Sequence, residues 1–218
     1  MCGIAGSTDK DRAYKLYKDN LNRGFYSSGS MLLDDTGVQA YKKVLGDFKT
    51  PFSSNNYTKI YYLYHSRGPT VETKGFEEDN NHPFFYKDWA VAHNGIISNF
   101  EKLTKQHYPE EDFAGKTDSC IIPRMLDVFG IENGPEKLEG TFAFWAFNTR
   151  TKNLYLVRNS CTLFVNWITG DFSSTEFENS EPLEEKMLFN IKYNNLYTRD
   201  AKIKYIKSYN FNSPYFIL

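Results

Sequence analysis

TFAFWAFNTRTKNLYLVR, residues 141–158, holds two short apolar runs joined by a polar link. Both runs, 141–148 and 153–158, read as strands, and their aromatic content suits a pleated, packed surface. The link from Asn148 through Thr149 and Arg150 to Asn153 reads as a hairpin loop, although no Asn-Gly or Asp-Gly pair marks it. Downstream, LFVNWI (163–168), MLFNIKY (187–193) and LYTRDAKIKYI (196–206) continue the strand pattern. A C-terminal half made of strands points to substantial antiparallel sheet.

Upstream, strands alternate with a few helices. MCGIAGS (1–7) reads as a short buried strand, and residues 10–22 as a helix with Ala13, Leu16, Tyr17 and Leu21 on one face, capped by Asp9. RGFYSSG (23–29) is a glycine-bounded turn before the strand SMLLDD (30–35), which a hairpin through Thr36-Gly37 joins to VQAYKKVLG (38–46). Residues 50–58 read as a surface loop. IYYLYH (60–65) and WAVAH (89–93) read as buried strands, separated by the long polar stretch GPTVETKGFEEDNNHPF (68–84), the kind of loop that carries function. Helices are expected over 96–107 and 118–129. In the second, Ile121, Ile122, Met125, Leu126 and Phe129 share a face, Thr117 or Asp118 stands near its start, and Gly130 and Gly134 mark its end. The fold class that follows is α+β.

Composition narrows the function. The 218 residues carry 26 basic and 27 acidic side chains, so no basic excess points to nucleic acid or to a membrane surface. Hydrophobic residues make up 40% and aromatics 17%, enough for one globular core, and residues 1–218 are expected to form a single domain. No apolar run reaches the about 18 residues of a spanning helix, and the N-terminus has neither the basic region of a signal peptide nor the Gly that myristoylation requires. Cys2, Cys120 and Cys161 are odd in number, widely spaced and without a CxxC pair, which argues against a disulfide framework or a zinc site. No His, Asp or Glu grouping has metal-ligand spacing, so no metal or cofactor is expected, and the chain reads as cytoplasmic.

Four places hold chemistry-bearing residues. Cys2 is followed by the small Gly3, and removal of Met1 before a small residue would make Cys2 the N-terminal residue. Its α-amine, with a reference pKa of about 7.7–8.0, would then stand beside the thiol as a built-in base. On position alone, a small buried thiol is the favoured account. His93-Asn94-Gly95 ends an apolar strand; an Asn amide and a glycine backbone N–H can converge on an oxyanion, but Asn-Gly is also an ordinary turn. Arg67, within His65-Ser66-Arg67-Gly68-Pro69-Thr70, offers a bidentate fork for a carboxylate or is simply a surface arginine in a turn. Asp118 could hold an ammonium group, or Thr117-Asp118 could cap a helix.

Taken together, MCGIAG, RGFYSSG, HSRGPT, AHNGIISN and KTDS stand in one order and at one set of spacings. That series resembles the class II glutamine amidotransferases of the N-terminal-nucleophile hydrolase superfamily, with the glutaminase domains of glucosamine-6-phosphate synthase and amidophosphoribosyltransferase as the nearest likeness. The resemblance runs from Cys2 to about Thr175. It implies a four-layer αββα sandwich of two antiparallel sheets, with Cys2 as nucleophile and its α-amine as acid–base group. It also implies Asn94 and Gly95 as the oxyanion pair and Arg67 on the α-carboxylate of L-glutamine. Asp118 falls on the substrate's α-ammonium, Gly68 and Thr70 in the substrate loop, and Arg23 with Gly24 behind the nucleophile. The reaction implied is hydrolysis of glutamine to glutamate and ammonia through a γ-glutamyl thioester; either a separate synthase subunit receives the ammonia or the protein is a free-standing hydrolase.

The sequence departs from the family pattern at three places. Tyr26 stands where RGxDS has its Asp, Gly68 where an aromatic residue follows the arginine, and Arg158-Asn159 where the family has an Arg-Asp pair. Two other functions stay open at this point: hydrolysis of another γ-glutamyl amide, and a catalytically weak regulatory subunit. His82-Pro83 reads as structural, His107 as a solvated helix residue, and Cys120 and Cys161 as buried thiols.

Overall fold

The computed structural model describes residues 1–52, 61–68, 77–192 and 202–211. Its first sheet is built from β1 (Gly3–Ser7), β2 (Ser27–Asp34), β3 (Gly37–Leu45), β4 (Tyr61–Arg67) and three two-residue strands, β9 (Phe164–Val165), β10 (Phe172–Ser173) and β11 (Glu181–Pro182). The second contains β5 (Phe84–Tyr86), β6 (Trp89–Ile97), β7 (Gly140–Asn148), β8 (Asn153–Asn159), β12 (Met187–Lys192) and β13 (Lys202–Ser208). The strand orders are β11-β9-β10-β1-β4-β2-β3 and β13-β12-β8-β7-β6-β5. Every pairing between these strands is antiparallel.

Three apolar cores separate four layers. Ile4, Met31, Leu63, Trp145, Leu156 and Phe189 pack between the sheets. The helix α1 (Lys10–Asn20) covers the outer face of the first sheet through Ala13, Leu16 and Tyr17 against Ala5 and Tyr64. The helices α2 (Phe100–His107) and α3 (Ile121–Asn133) cover the second through Leu103, Ile122, Met125 and Leu126 against Val91, Phe142 and Phe144. The architecture is therefore an αββα sandwich. Among the described residues, no helix is long and apolar enough to cross a membrane.

Several boundaries differ from the sequence reading, each for a tertiary reason. Ser27–Gly29 belong to β2 rather than to a turn, because β3 and β4 pair with them on both sides. β6 runs on to Ile97, which pairs with Gly140 on β7, so Asn94-Gly95 lie inside a strand and not at its end. The helix expected from residue 96 starts at Phe100, because Asn99 spends its side chain on Lys137 O and Glu139 N–H instead of on the helix. The strand expected over 163–168 is only Phe164–Val165: the Asn166 side chain accepts from Ile168 and Thr169 N–H and turns the chain into β10. A single 3-10 turn, Asp118–Cys120, precedes α3, which continues to Asn133 across a kink at Gly130 (φ +71°). The expected loop at 50–58 and the strand read from residue 196 lie partly outside the described residues.

Candidate active site

Cys2 stands immediately before β1, and β1 is an interior strand held by β4 on one side and β10 on the other. Three contacts tie down this end of the chain. Arg23 Nε donates to the Cys2 carbonyl at 2.8 Å. Ile4 N–H donates to Ser174 Oγ at 3.0 Å. Asn20, buried at the end of α1, donates to Leu16 O and Ser173 Oγ. A β-carbon on Gly3 would lie 2.7 Å from the Asn20 side chain, so glycine after Cys2 is a packing requirement as well as a permissive residue for methionine removal.

The Cys2 thiol is half-buried and points a weak hydrogen bond at Gly68 O, 3.8 Å away. Burial pushes its pKa up; the Gly68 contact, the chain's amino terminus and Arg67 oppose the rise, while Asp118 adds to it. A thiol in this state is mostly protonated at neutral pH and needs a base to become a nucleophile.

A cleft of about 1280 Å³ opens beside the thiol, and Cys2, Arg67, Gly68, His93, Gly95 and Asp118 all line it. It exceeds the roughly 300–1,000 Å³ of enclosed small-molecule pockets, so polar anchors rather than enclosure must select a small ligand. Arg67 is the last residue of β4, buried, with Nη1 donating to Asn80 O at 3.0 Å and Asn81 Oδ1 at 2.9 Å. Across the cleft, Asp118 Oδ2 accepts from Ile97 N–H at 2.6 Å, which fixes its carboxylate at the end of β6. Asn94 is buried one residue from the cleft wall, and its Nδ2 has no hydrogen-bond partner. A buried donor left unpaired costs about 1–3 kcal/mol, so it marks a place where a ligand acceptor would be welcome. Gly95 has φ +134°, and a β-carbon there would run into the Thr141 carbonyl on the paired strand.

Three motifs separated in sequence are joined at this wall by histidines. His65 Nε2 lies 3.2 Å from His93 O, and His93 Nδ1 lies 2.9 Å from Ser119 Oγ. His82 stacks on His65 with ring centroids 3.8 Å apart. All three are buried, and burial holds each below its ordinary pKa, His65 at about 3 and His82 well below. Among the described residues, no group of three or more His, Cys, Asp or Glu side chains is placed to hold a metal ion.

The structure thus gathers Cys2, Arg67, Gly68, Gly95 and Asp118 around one cleft, with Asn94 just behind it and Arg23 under the Cys2 peptide. A β-carbon on Gly24 would strike the Gly68 backbone, so these two glycines pack directly together. Thr70 lies outside the described residues. At the departures from the family pattern, the Tyr26 ring lies 5.7 Å from the Arg67 guanidinium carbon, Arg158 pairs with Glu185 at 2.9 Å, and Asn159 donates to Gly140 O. Sequence reasoning passed over Asn80, Asn81 and Ser119. Their only signal was position, two asparagines before His82 and a serine after Asp118, and such residues are ordinary in turns.

The αββα fold is similar to that of the N-terminal-nucleophile amidotransferases. A model of the glutamine amidotransferase domain family matches residues 73–176. The chain is similar to glutamine-fructose-6-phosphate aminotransferase (isomerizing) of Staphylococcus epidermidis, 24% identical over 181 residues, covering 76% of this chain and 30% of the relative. The Methanococcus maripaludis protein of the same name is 29% identical over 194 residues, covering 76% and 31%. The solved structure of glutamine phosphoribosylpyrophosphate amidotransferase from B. subtilis, complexed with ADP and GMP, matches with a TM-score of 0.68 at 17% identity, covering 94% of this chain and 49% of that one. The matched domain, the relatives and the shared fold support a class II glutamine amidotransferase. It spans about 30% of the length of the curated relatives it matches.

Proposed function

We propose that residues 1–218 form one glutaminase domain, which hydrolyses the side-chain amide of L-glutamine and passes ammonia to an acceptor enzyme on a separate chain. The observation that carries this reading is the placement of the Cys2 thiol in one cleft with a guanidinium, Arg67, and a carboxylate, Asp118. A free amino-acid head group needs that pair of opposite charges. Arg67 takes the α-carboxylate, Asp118 the α-ammonium, and Gly68 and Thr70 border the bound substrate.

With Met1 removed, the Cys2 α-amine takes the thiol proton and the sulfur attacks the side-chain amide carbon. The oxyanion is held by Asn94 Nδ2 and the Gly95 N–H. The protonated amine then gives its proton to the departing nitrogen, which leaves as ammonia. Water adds to the γ-glutamyl thioester, the C–S bond breaks, and glutamate leaves while the thiol regains its proton. Arg23 holds the Cys2 carbonyl throughout and Gly24 lets the Gly68 backbone close on it.

The test uses protein whose N-terminus has been defined by intact mass. Processed protein is expected to release glutamate from glutamine and to gain one adduct from a glutamine-like diazoketone at Cys2. Cys2→Ala and Met1-retaining protein are expected to do neither. Undiminished glutamate release by Cys2→Ala removes the nucleophile from the scheme, and undiminished release with Met1 in place removes the amine.

A further inference from the structure

We propose that Asn80 and Asn81 are positioning residues that set the two halves of the head-group site, Asn81 through Arg67 and Asn80 through the loop that carries Asp118. The inference rests on the glutaminase reading above and deepens it.

Asn81 is buried and fully employed. Its Oδ1 accepts from Arg67 Nη1 at 2.9 Å and from Ser27 Oγ at 2.5 Å, while its Nδ2 donates to Glu77 O at 2.5 Å. The oxygen that fixes the guanidinium is therefore neutral. A carboxylate there would pair with Arg67 and compete with the ligand's own carboxylate for it; an amide orients the fork and leaves its charge unspent. Tyr26, 5.7 Å from the guanidinium carbon, is also uncharged, although the family pattern has an Asp at its position. Among the described residues, Arg67 Nε and Nη2 make no hydrogen bond, so this edge of a cleft-lining side chain stays available.

Asn80 faces the other way. Its Oδ1 accepts from Thr117 N–H at 2.8 Å and its Nδ2 donates to Gly115 O at 2.8 Å, a two-point clamp on the residues directly before Asp118. Its own carbonyl meanwhile accepts from Arg67. One peptide unit thus spans the arginine on β4 and the loop that ends in Asp118. Two adjacent asparagines link the carboxylate and ammonium subsites, beside the Ile97 N–H that holds the Asp118 carboxylate.

Each half has its own probe. 4-Aminobutanamide is glutamine without the α-carboxylate, and 4-carbamoylbutanoate is glutamine without the α-amine; both keep the amide whose ammonia is measured. For Asn81→Ala the glutamine KM is expected to rise about tenfold with kcat changed less than about threefold, and the preference for glutamine over 4-aminobutanamide to fall about tenfold. Asn81→Asp keeps the acceptor oxygen for Arg67 and Ser27, gives up the donation to Glu77 O, and neutralises Arg67; it is expected to lose the same preference. Asn80→Ala is expected instead to lose about tenfold in preference over 4-carbamoylbutanoate, with the carboxylate preference held within about twofold. Folded Asn81→Ala and Asn81→Asp proteins that keep the glutamine KM and both preferences within about twofold overturn the assignment. Wild-type protein that releases no ammonia from glutamine sinks the glutaminase reading itself, and this one with it.

Discussion

Acid should weaken this fold through its buried histidines, and His82→Phe measures how much. In the unfolded chain a histidine titrates near 6.5. In the folded chain His65 is held at about 3 and His82 well below its ordinary value, because burial penalises the imidazolium and the neighbouring cations add to that penalty. Between the folded and unfolded values, the unfolded chain binds the extra proton. Stability is therefore fully present above about pH 6.5 and is lost as pH falls from there toward the folded value. Integrated from pH 7 to pH 5, a histidine that stays neutral when folded costs about 2 kcal/mol. His65 accounts for about 2 kcal/mol, and His82 and His93, shifted the same way, add to it. That is a large part of the roughly 5–15 kcal/mol available to a domain.

His82 is the informative position because both ring nitrogens are buried without a partner. Phenylalanine keeps a ring against His65 and Phe84 and removes one titrating group. Urea unfolding at pH 7 and pH 5 should show the wild type losing more than His82→Phe over that interval, by up to about 2 kcal/mol, the ceiling that the unfolded titration sets. Carboxylates and the remaining histidines are common to both proteins and largely cancel in the difference. An identical loss in the two proteins would refute the claim that His82 is held neutral by burial.

Two further outcomes separate catalytic from structural roles in β6. Asn94→Ala should lower glutamine turnover about 10²–10³-fold while leaving the urea midpoint unchanged or higher, since the deleted Nδ2 has no partner to lose; a lower midpoint with unchanged turnover contradicts the oxyanion role. Gly95→Ala should cost about 2–4 kcal/mol of stability, because φ is +134° and the added carbon meets the Thr141 carbonyl; a wild-type urea midpoint would show that the strand pair tolerates a side chain there.

What the sequence made legible was local. The Asp9 side chain accepts from Arg12 N–H at 2.9 Å and opens α1, as a capping residue before a periodic apolar face should. The hairpin through Thr36-Gly37 is present, with Asp34 paired to Gly37 at φ +129°. Arg67 and Asp118 stood out because charge beside an apolar run is conspicuous. What could not be read was register. Nothing in AHNGIISN shows that its partner strand continues to Gly140, so Asn94-Gly95 looked like a turn when they lie mid-strand. Asn80 and Asn81 were illegible for the same reason, since their worth depends on Arg67, Ser27, Gly115 and Thr117, which lie between 13 and 54 positions away and come together only in the fold.

Gly68, one of the three departures from the family pattern, has a physical place in the structure. A β-carbon on Gly68 would collide with the Met1 carbonyl and with Arg23 O, and one on Gly24 would meet both Gly68 and the Met1 carbonyl. The two glycines therefore leave room for one residue ahead of Cys2, with Arg23 holding the peptide that follows it. Before excision, Cys2 nitrogen is an amide and cannot accept the thiol proton, while burial keeps that thiol protonated. Removal of Met1, as proposed, would change two things at once: it would make an amine next to the sulfur and empty the space above the two glycines. On the proposed chemistry, the unprocessed chain folds around its methionine with an unreactive thiol, and one proteolytic cut supplies the base.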